Sequence, residues 1–174
     1  GWEIYFRPEN NVEKLGDLRG KKVAILGDIL HSRVALSNIY ALKMLGANVK
    51  LCAPKSLLPK HIDSLGVTIS DDLMYVLNWC DAVNVLRVQN ERMDINYFPS
   101  NREYNQNFGI NKDCIKKLRK KIVILHPGPI NRGVEISSEV ADSDNAIILD
   151  QVENGVAIRM AIIFLLGSQI NTSG

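Results

Sequence analysis

The chain has little of what would mark a membrane, secreted or nucleic-acid-binding protein. Its 174 residues hold 21 Lys and Arg against 19 Asp and Glu, a net charge of +2, too small to drive binding to nucleic acid. Five basic residues do gather at Lys116, Lys117, Arg119, Lys120 and Lys121. No aromatic or motif context accompanies them, and just before an apolar run they read as a solvated helix end, where the dipole favours cations. Cys52, Cys80 and Cys114 are an odd set with no CxxC pair and no histidine at ligand spacing. They exclude a disulfide framework and read as small buried hydrophobes in a reducing compartment. The longest apolar stretch near the end, residues 156–166, is interrupted by Arg159 and is too short to span a bilayer. With no signal peptide, repeat or low-complexity tract, a soluble cytoplasmic protein is expected, or a plastid one for a eukaryotic source, with no membrane partner. Aromatics are scarce, 6% against 46% hydrophobic residues overall. That balance suits an aliphatic parallel sheet better than a sandwich.

What is present alternates. Val23–Leu26 reads as a strand, followed by Gly27-Asp28 and a helix over about 32–45 on which Val34, Ile39, Leu42 and Leu45 share a face and Gly46 is the stop. Residues 49–53 are a second strand closed by Pro54, residues 57–65 a short helix, and 67–69 a third strand. Ser70 or Asp71 can cap the helix carrying Leu73, Met74, Leu77 and Trp79. Residues 82–86 are the next strand, and 90–111 a polar loop with one embedded helix. A helix before Lys121, a strand before His126 and a last strand at 146–149 complete the unit. Strands alternating with helices predict an α/β fold with a doubly wound, mainly parallel sheet. It is Rossmann-like but lacks the GxGxxG fingerprint. Residues 151–166 are apolar on nearly every face, and such a helix must be buried all round.

Four segments at strand ends carry chemistry. The run His126-Pro127-Gly128-Pro129 ends a strand in a stiff turn whose carbonyls cannot extend the sheet, although such a turn also serves structure alone. Arg132 and Glu135 follow it. The loop Gly27-Asp28-Ile29-Leu30-His31-Ser32-Arg33 opens a helix, but Leu30 and His31 would meet a pyrophosphate in place of glycine backbone, so no dinucleotide or other cofactor is expected. Arg33 instead stands where a helix start and a guanidinium could bind an anion. Arg87 and Gln89, two residues apart after a strand, suit a carboxylate held bidentate with a second polar group beside it. Arg159, inside an apolar helix, needs an acidic or carbonyl partner, structural or ligand-borne. His126, Arg132 and Arg159 are thus supporting candidates. His31 and His126 have no evident orienting carboxylate, so no catalytic triad is expected, and no metal site.

Together, Gly27 to Ala35, Leu86 to Arg92, His126 to Glu135 and Gln151 to Ala157 resemble the catalytic chains of aspartate carbamoyltransferases. The resemblance runs from about Val12 to Leu166 and covers only the second, aspartate-binding half. It implies attack of the L-aspartate amine on carbamoyl phosphate, giving N-carbamoyl-L-aspartate and phosphate in pyrimidine biosynthesis. It further implies Arg33, Arg87 and Gln89 on the aspartate carboxylates, carbonyls of Pro127, Gly128 and Pro129 toward amino groups, a homotrimer, and no metal or covalent intermediate. Two departures stand out: Leu36 replaces a second arginine, and the phosphate loop (Ser-Thr-Arg-Thr-Arg) and His-Pro-Thr-Gln segment of the preceding domain do not occur. The expected division is an atypical leader over 1–20, an aspartate-binding domain over 21–150, and a helix over 151–174 that packs on a carbamoyl-phosphate domain outside the chain. A fragment, a truncated gene product or half of a split enzyme would all fit. Ornithine carbamoyltransferases are a poorer match, since their Cys-Leu-Pro and Ser-Met-Gly signatures are missing. The alternative of another class is a catalytically inactive amino-acid-binding or interaction module.

Overall fold

The structure, a computed structural model, describes residues 15–89 and 100–170. The expectations placed on residues 1–14, 90–99 and 171–174, Glu91 and Arg92 among them, lie outside that range. Five strands form one sheet: β1 (Lys22–Leu26), β2 (Asn48–Cys52), β3 (Thr68–Ser70), β4 (Ala82–Val85) and β5 (Val123–Leu125), in the order β3-β2-β1-β4-β5. Every neighbouring pair is parallel. The helices are α1 (Arg33–Met44), α2 (Leu73–Trp79), α3 (Asn101–Phe108), α4 (Lys112–Lys116), α5 (Ser138–Ala141) and α6 (Ile148–Ile170). Alternate side chains of a strand face opposite ways. Val23 and Ile25 of β1 therefore pack with Ala35, Ile39 and Leu42 of α1, while Ala24 and Leu26 pack with Leu73, Val76 and Leu77 of α2. Helices cover both faces, as the alternation predicts. The chain runs outward from β1 to β2 and β3, then returns to β4 and β5 on the other side. This reversal between β1 and β4 opens a crevice at the strands' C-terminal ends.

Local expectations needed four corrections. In α1 the inward stripe is Ala35, Ile39 and Leu42, the i, i+4, i+7 set, and Val34 falls outside it. Residues 57–65 are not one helix but two 3-10 turns, Lys55–Leu57 and Ile62–Leu65. Pro59 between them brings no N–H, and His61 sits in the left-handed region at φ 60°. Asp72, not Ser70 or Asp71, caps α2, its carboxylate accepting from the Tyr75 N–H at 2.9 Å. Finally, residues 146–149 are not a strand. Ala146 makes one isolated bridge to Ile124, and Ile148 already begins α6; a four-residue apolar run cannot distinguish strand from helix by period.

Only the start of α6 is anchored: Ile147 and Ile148 are buried, whereas Met160, Ile163 and Phe164 are 66%, 71% and 74% exposed. Among the described residues, none covers these side chains. No described helix is long and apolar enough to cross a membrane. Each such side chain forgoes about 1.5–3 kcal/mol of burial, and a patch of them favours association. In sedimentation the 174-residue chain is expected to run as an associated species, and Ile162→Glu with Phe164→Glu to shift it toward monomer. A clean monomer before either change would contradict this.

The cysteines differ more than their sequence context suggested. Cys52 and Cys80 are buried, and burial above all pushes both thiols up to about 12. Cys114 is only half-buried, at α4. Because the thiolate is the nucleophile, iodoacetamide at mildly alkaline pH should label Cys114 alone in the folded chain and all three after denaturation. Rapid native labelling of Cys52 or Cys80 in mass spectrometry would contradict that burial.

Candidate functional site

Because β1, β4 and β5 are adjacent and parallel, the loops that follow them leave from one edge. The β1 and β4 loops meet most closely at Gly27. Its φ is +123°, and a Cβ there would stand 2.7 Å from the Leu86 carbonyl oxygen, so the approach requires glycine. Next comes Asp28, fully buried. Its carboxylate accepts from the His31 backbone N–H at 3.2 Å, pairs with His31 Nδ1 at 2.9 Å and accepts from the Gln89 N–H at 3.4 Å. The Gln89 side chain returns the contact, Nε2 donating to the His31 carbonyl at 3.4 Å. Asp28 thus binds the first two loops together, and a buried carboxylate of this kind persists only with such partners.

The β4 and β5 loops are joined by Asn131. Arg87 Nε donates to Asn131 Oδ1 at 3.4 Å, and Asn131 Nδ2 donates to the Val88 carbonyl at 2.9 Å. Behind Asn131, its backbone N–H donates to Glu135 Oε1 at 2.6 Å. Glu135 and His126 are both fully buried, with His126 Nε2 3.2 Å from the same Oε1. The Gly128 N–H donates to His126 Nδ1 at 3.0 Å. That ring nitrogen therefore carries a lone pair, and the proton sits on Nε2, donated to Glu135. The His126 N–H in turn donates to Gln151 Oε1 of α6 at 2.9 Å. The Pro127-Gly128-Pro129 corner, with a cis Gly128–Pro129 bond, is tied to the core from both sides. Among the described residues no donor takes the carbonyls of His126, Pro127 or Gly128. Tyr104 lies fully buried nearby; burial, then the charge of Glu135, pushes its phenol well up, so its hydroxyl stays protonated.

Of the residues singled out from sequence, Arg87 and Gln89 follow β4 and reach the β5 and β1 loops through Asn131 and His31, and the Pro127–Pro129 turn follows β5 at the same edge of the sheet. Arg33 is the first residue of α1, exposed, behind the Ser32 cap that accepts from the Ala35 N–H at 3.2 Å. It stands at the same edge. Two supporting candidates do not join. Arg132 spends its fork on Asp142, at 2.9 and 2.8 Å on the surface, and these bonds hold the Asp142 carboxyl below the usual carboxylate range. Arg159 is exposed and, two helical turns past Gln151, lies about 12 Å further along α6. Its expected acidic or carbonyl partner is not found among the described residues, because the helix around it is itself uncovered. Both histidines do have orienting carboxylates, contrary to expectation: Asp28 for His31 and Glu135 for His126. Asp28, Asn131, Glu135 and Gln151 were missed as site residues. The Asp-x-x-His spacing after a strand was a usable signal for the first pair, and nothing in the spacing of His126 and Glu135 was.

Chemically, the edge offers a guanidinium and an amide set side by side, a helix start bearing a second guanidinium, and a rigid carbonyl-bearing corner. The first two suit carboxylates and the last suits N–H donors. The sequence matches the family model described as Aspartate/ornithine carbamoyltransferase, Asp/Orn binding domain, over residues 19–166. It is 70% identical over 158 residues to the aspartate carbamoyltransferase catalytic subunit of Christiangramia forsetii and 68% identical to that of Flavobacterium johnsoniae. Each match covers 91% of this chain and 51% of the relative; the chain spans about half the length of these curated relatives. Among solved structures, ornithine carbamoyltransferase from Gloeobacter violaceus superimposes with a TM-score of 0.68 at 20% identity, covering 84% of this chain and 51% of that one. The enzyme from Thermus thermophilus gives 0.67 at 23%, covering 86% and 49%. At such identities the likeness shows the fold alone.

Proposed function

The chain belongs to the aspartate/ornithine carbamoyltransferase family, and from that membership we propose that it supplies the acceptor-binding half of an aspartate carbamoyltransferase. The observation that carries this reading is that Arg87 and Gln89, on the loop after β4, and the Pro127-Gly128-Pro129 corner, on the loop after β5, stand at one edge of the sheet, with Asn131 linking the two loops. In it Arg87 and Gln89 hold one L-aspartate carboxylate and Arg33 meets the other, while carbonyls of the corner accept from amino groups of the reactants. The aspartate nitrogen forms a bond to the carbamoyl carbon, the bond from that carbon to the phosphate oxygen breaks, and the proton given up by the amine leaves with the phosphate. These residues contribute alignment and charge, without a covalent intermediate. Carbamoyl phosphate binds mainly to a domain beyond these 174 residues, and the exposed apolar side chains of α6 pack against it.

Aspartate is favoured over ornithine by charge. Both amino acids offer an α-carboxylate, but the side chain of ornithine ends in an ammonium, which the guanidinium assigned to the second carboxylate repels and which leaves that guanidinium without a partner. The high identity to relatives named aspartate carbamoyltransferase supports the same choice. To test it, the chain is joined behind the N-terminal half of the Christiangramia forsetii relative and offered each amino acid with carbamoyl phosphate. L-Aspartate should be preferred by about 10⁴-fold, the scale on which a site rejects an analogue that leaves its polar groups unpaired. Equal rates, or a preference for ornithine, would overturn the assignment.

A further inference from the structure

We propose that Asn131 is a positioning residue for substrate, acting through Arg87. The proposal rests on the reading that Arg87 holds an aspartate carboxylate, and deepens it. A bidentate grip requires the guanidinium plane to be fixed, and arginine's long side chain does not fix it unaided. Asn131 supplies the constraint from another loop. Its Oδ1 accepts from Arg87 Nε, and its Nδ2 is committed to the Val88 carbonyl, partners 44 and 43 residues away in sequence. Only one orientation of the amide serves both: rotated by half a turn it would set donor against donor and acceptor against acceptor. The 3.4 Å contact to Nε is long, as contacts in an unliganded site often are before they tighten around a ligand.

What holds Asn131 itself is separate from what it holds. Its backbone N–H is anchored on buried Glu135, which His126 orients from the core side. A residue needed only for the turn would act through that backbone bond, which survives truncation of the side chain. The side chain spends both of its polar groups on the β4 loop instead, one on Arg87 and one on the residue after it. Its geometry is that of a brace on the arginine.

The test is a double-mutant cycle in the joined enzyme described above. Asn131→Ala should raise KM for L-aspartate by about 10-fold with kcat within about 3-fold, the pattern of lost uniform binding. KM for carbamoyl phosphate should not move. Added to Arg87→Lys, which already lacks the fork, Asn131→Ala should cost no more than about 3-fold further, since residues acting as one unit are not additive. Thermal unfolding checks that each variant folds. Should Asn131→Ala fail to fold, Asn131→Ser, whose side chain is too short to brace Arg87, takes its place in the cycle. Full additivity, or an unchanged aspartate KM in Asn131→Ala while Arg87→Lys is impaired, would overturn the positioning role alone. Normal kinetics in Arg87→Lys would overturn both this role and the carboxylate reading beneath it.

Discussion

Purified as these 174 residues, the chain is expected to form no carbamoyl-L-aspartate from carbamoyl phosphate and L-aspartate. A phosphate dianion must be gripped by several charged or backbone donors to be held for reaction. No Gly-rich or Ser/Thr/Arg-rich phosphate loop occurs in the sequence, and the cations at the described edge, Arg33 and Arg87, are assigned to carboxylates. Transfer between two bound molecules draws about 7–11 kcal/mol from holding both in place. Removing the site of one reactant therefore removes most of the rate. A radiolabel assay with carbamoyl phosphate and saturating aspartate reads this directly. Product above the uncatalysed background would mean that the edge described here accommodates both reactants. Supplying the carbamoyl-phosphate half in trans, or joined in front, should restore transfer.

The second large effect is expected at Arg87. Arg87→Lys keeps the positive charge and loses the planar fork, and with it one of two parallel hydrogen bonds to a carboxylate. In the joined enzyme kcat/KM for aspartate should fall by about 10²-fold, equivalent to about 2.7 kcal/mol, near the upper range for a hydrogen bond to a charged group. Burial sharpens the effect, because Arg87 is half-buried and a lone ammonium there has fewer waters to compensate. Steady-state kinetics at varied aspartate check it; near-normal values would leave Arg87 as a brace between the β4 and β5 loops.

The sheet was legible because its strands are runs of aliphatic residues bounded by Gly, Pro and Asp, and because the intervening helices alternate with them. The strand order follows from no local signal, but once the strands are parallel it puts Gly27, Arg87 and His126 at one edge, where sequence reading had placed the ligand. What was not legible depends on side-chain packing at long range. Arg132 looked like a ligand group in sequence, and only the fold brings Asp142 within reach of it. His126 looked unpartnered, yet its neighbour Glu135 curls back through a turn that no propensity scale describes. Asn131, lying between them, had no distinguishing pattern at all, since the partners of its side chain are on another loop. The α6 helix gave the opposite case: its apolar composition was plain in the sequence, but nothing there showed where the helix would begin.

The most direct test of the central claim is a crystal structure of the joined enzyme with carbamoyl phosphate and succinate, an aspartate lacking the amine and so unable to react. The account predicts succinate in the crevice between β1 and β4, one carboxylate within hydrogen-bond distance of Arg87 and Gln89 and the other facing Arg33. Succinate bound elsewhere, with neither carboxylate within reach of Arg87 and Gln89, would contradict it.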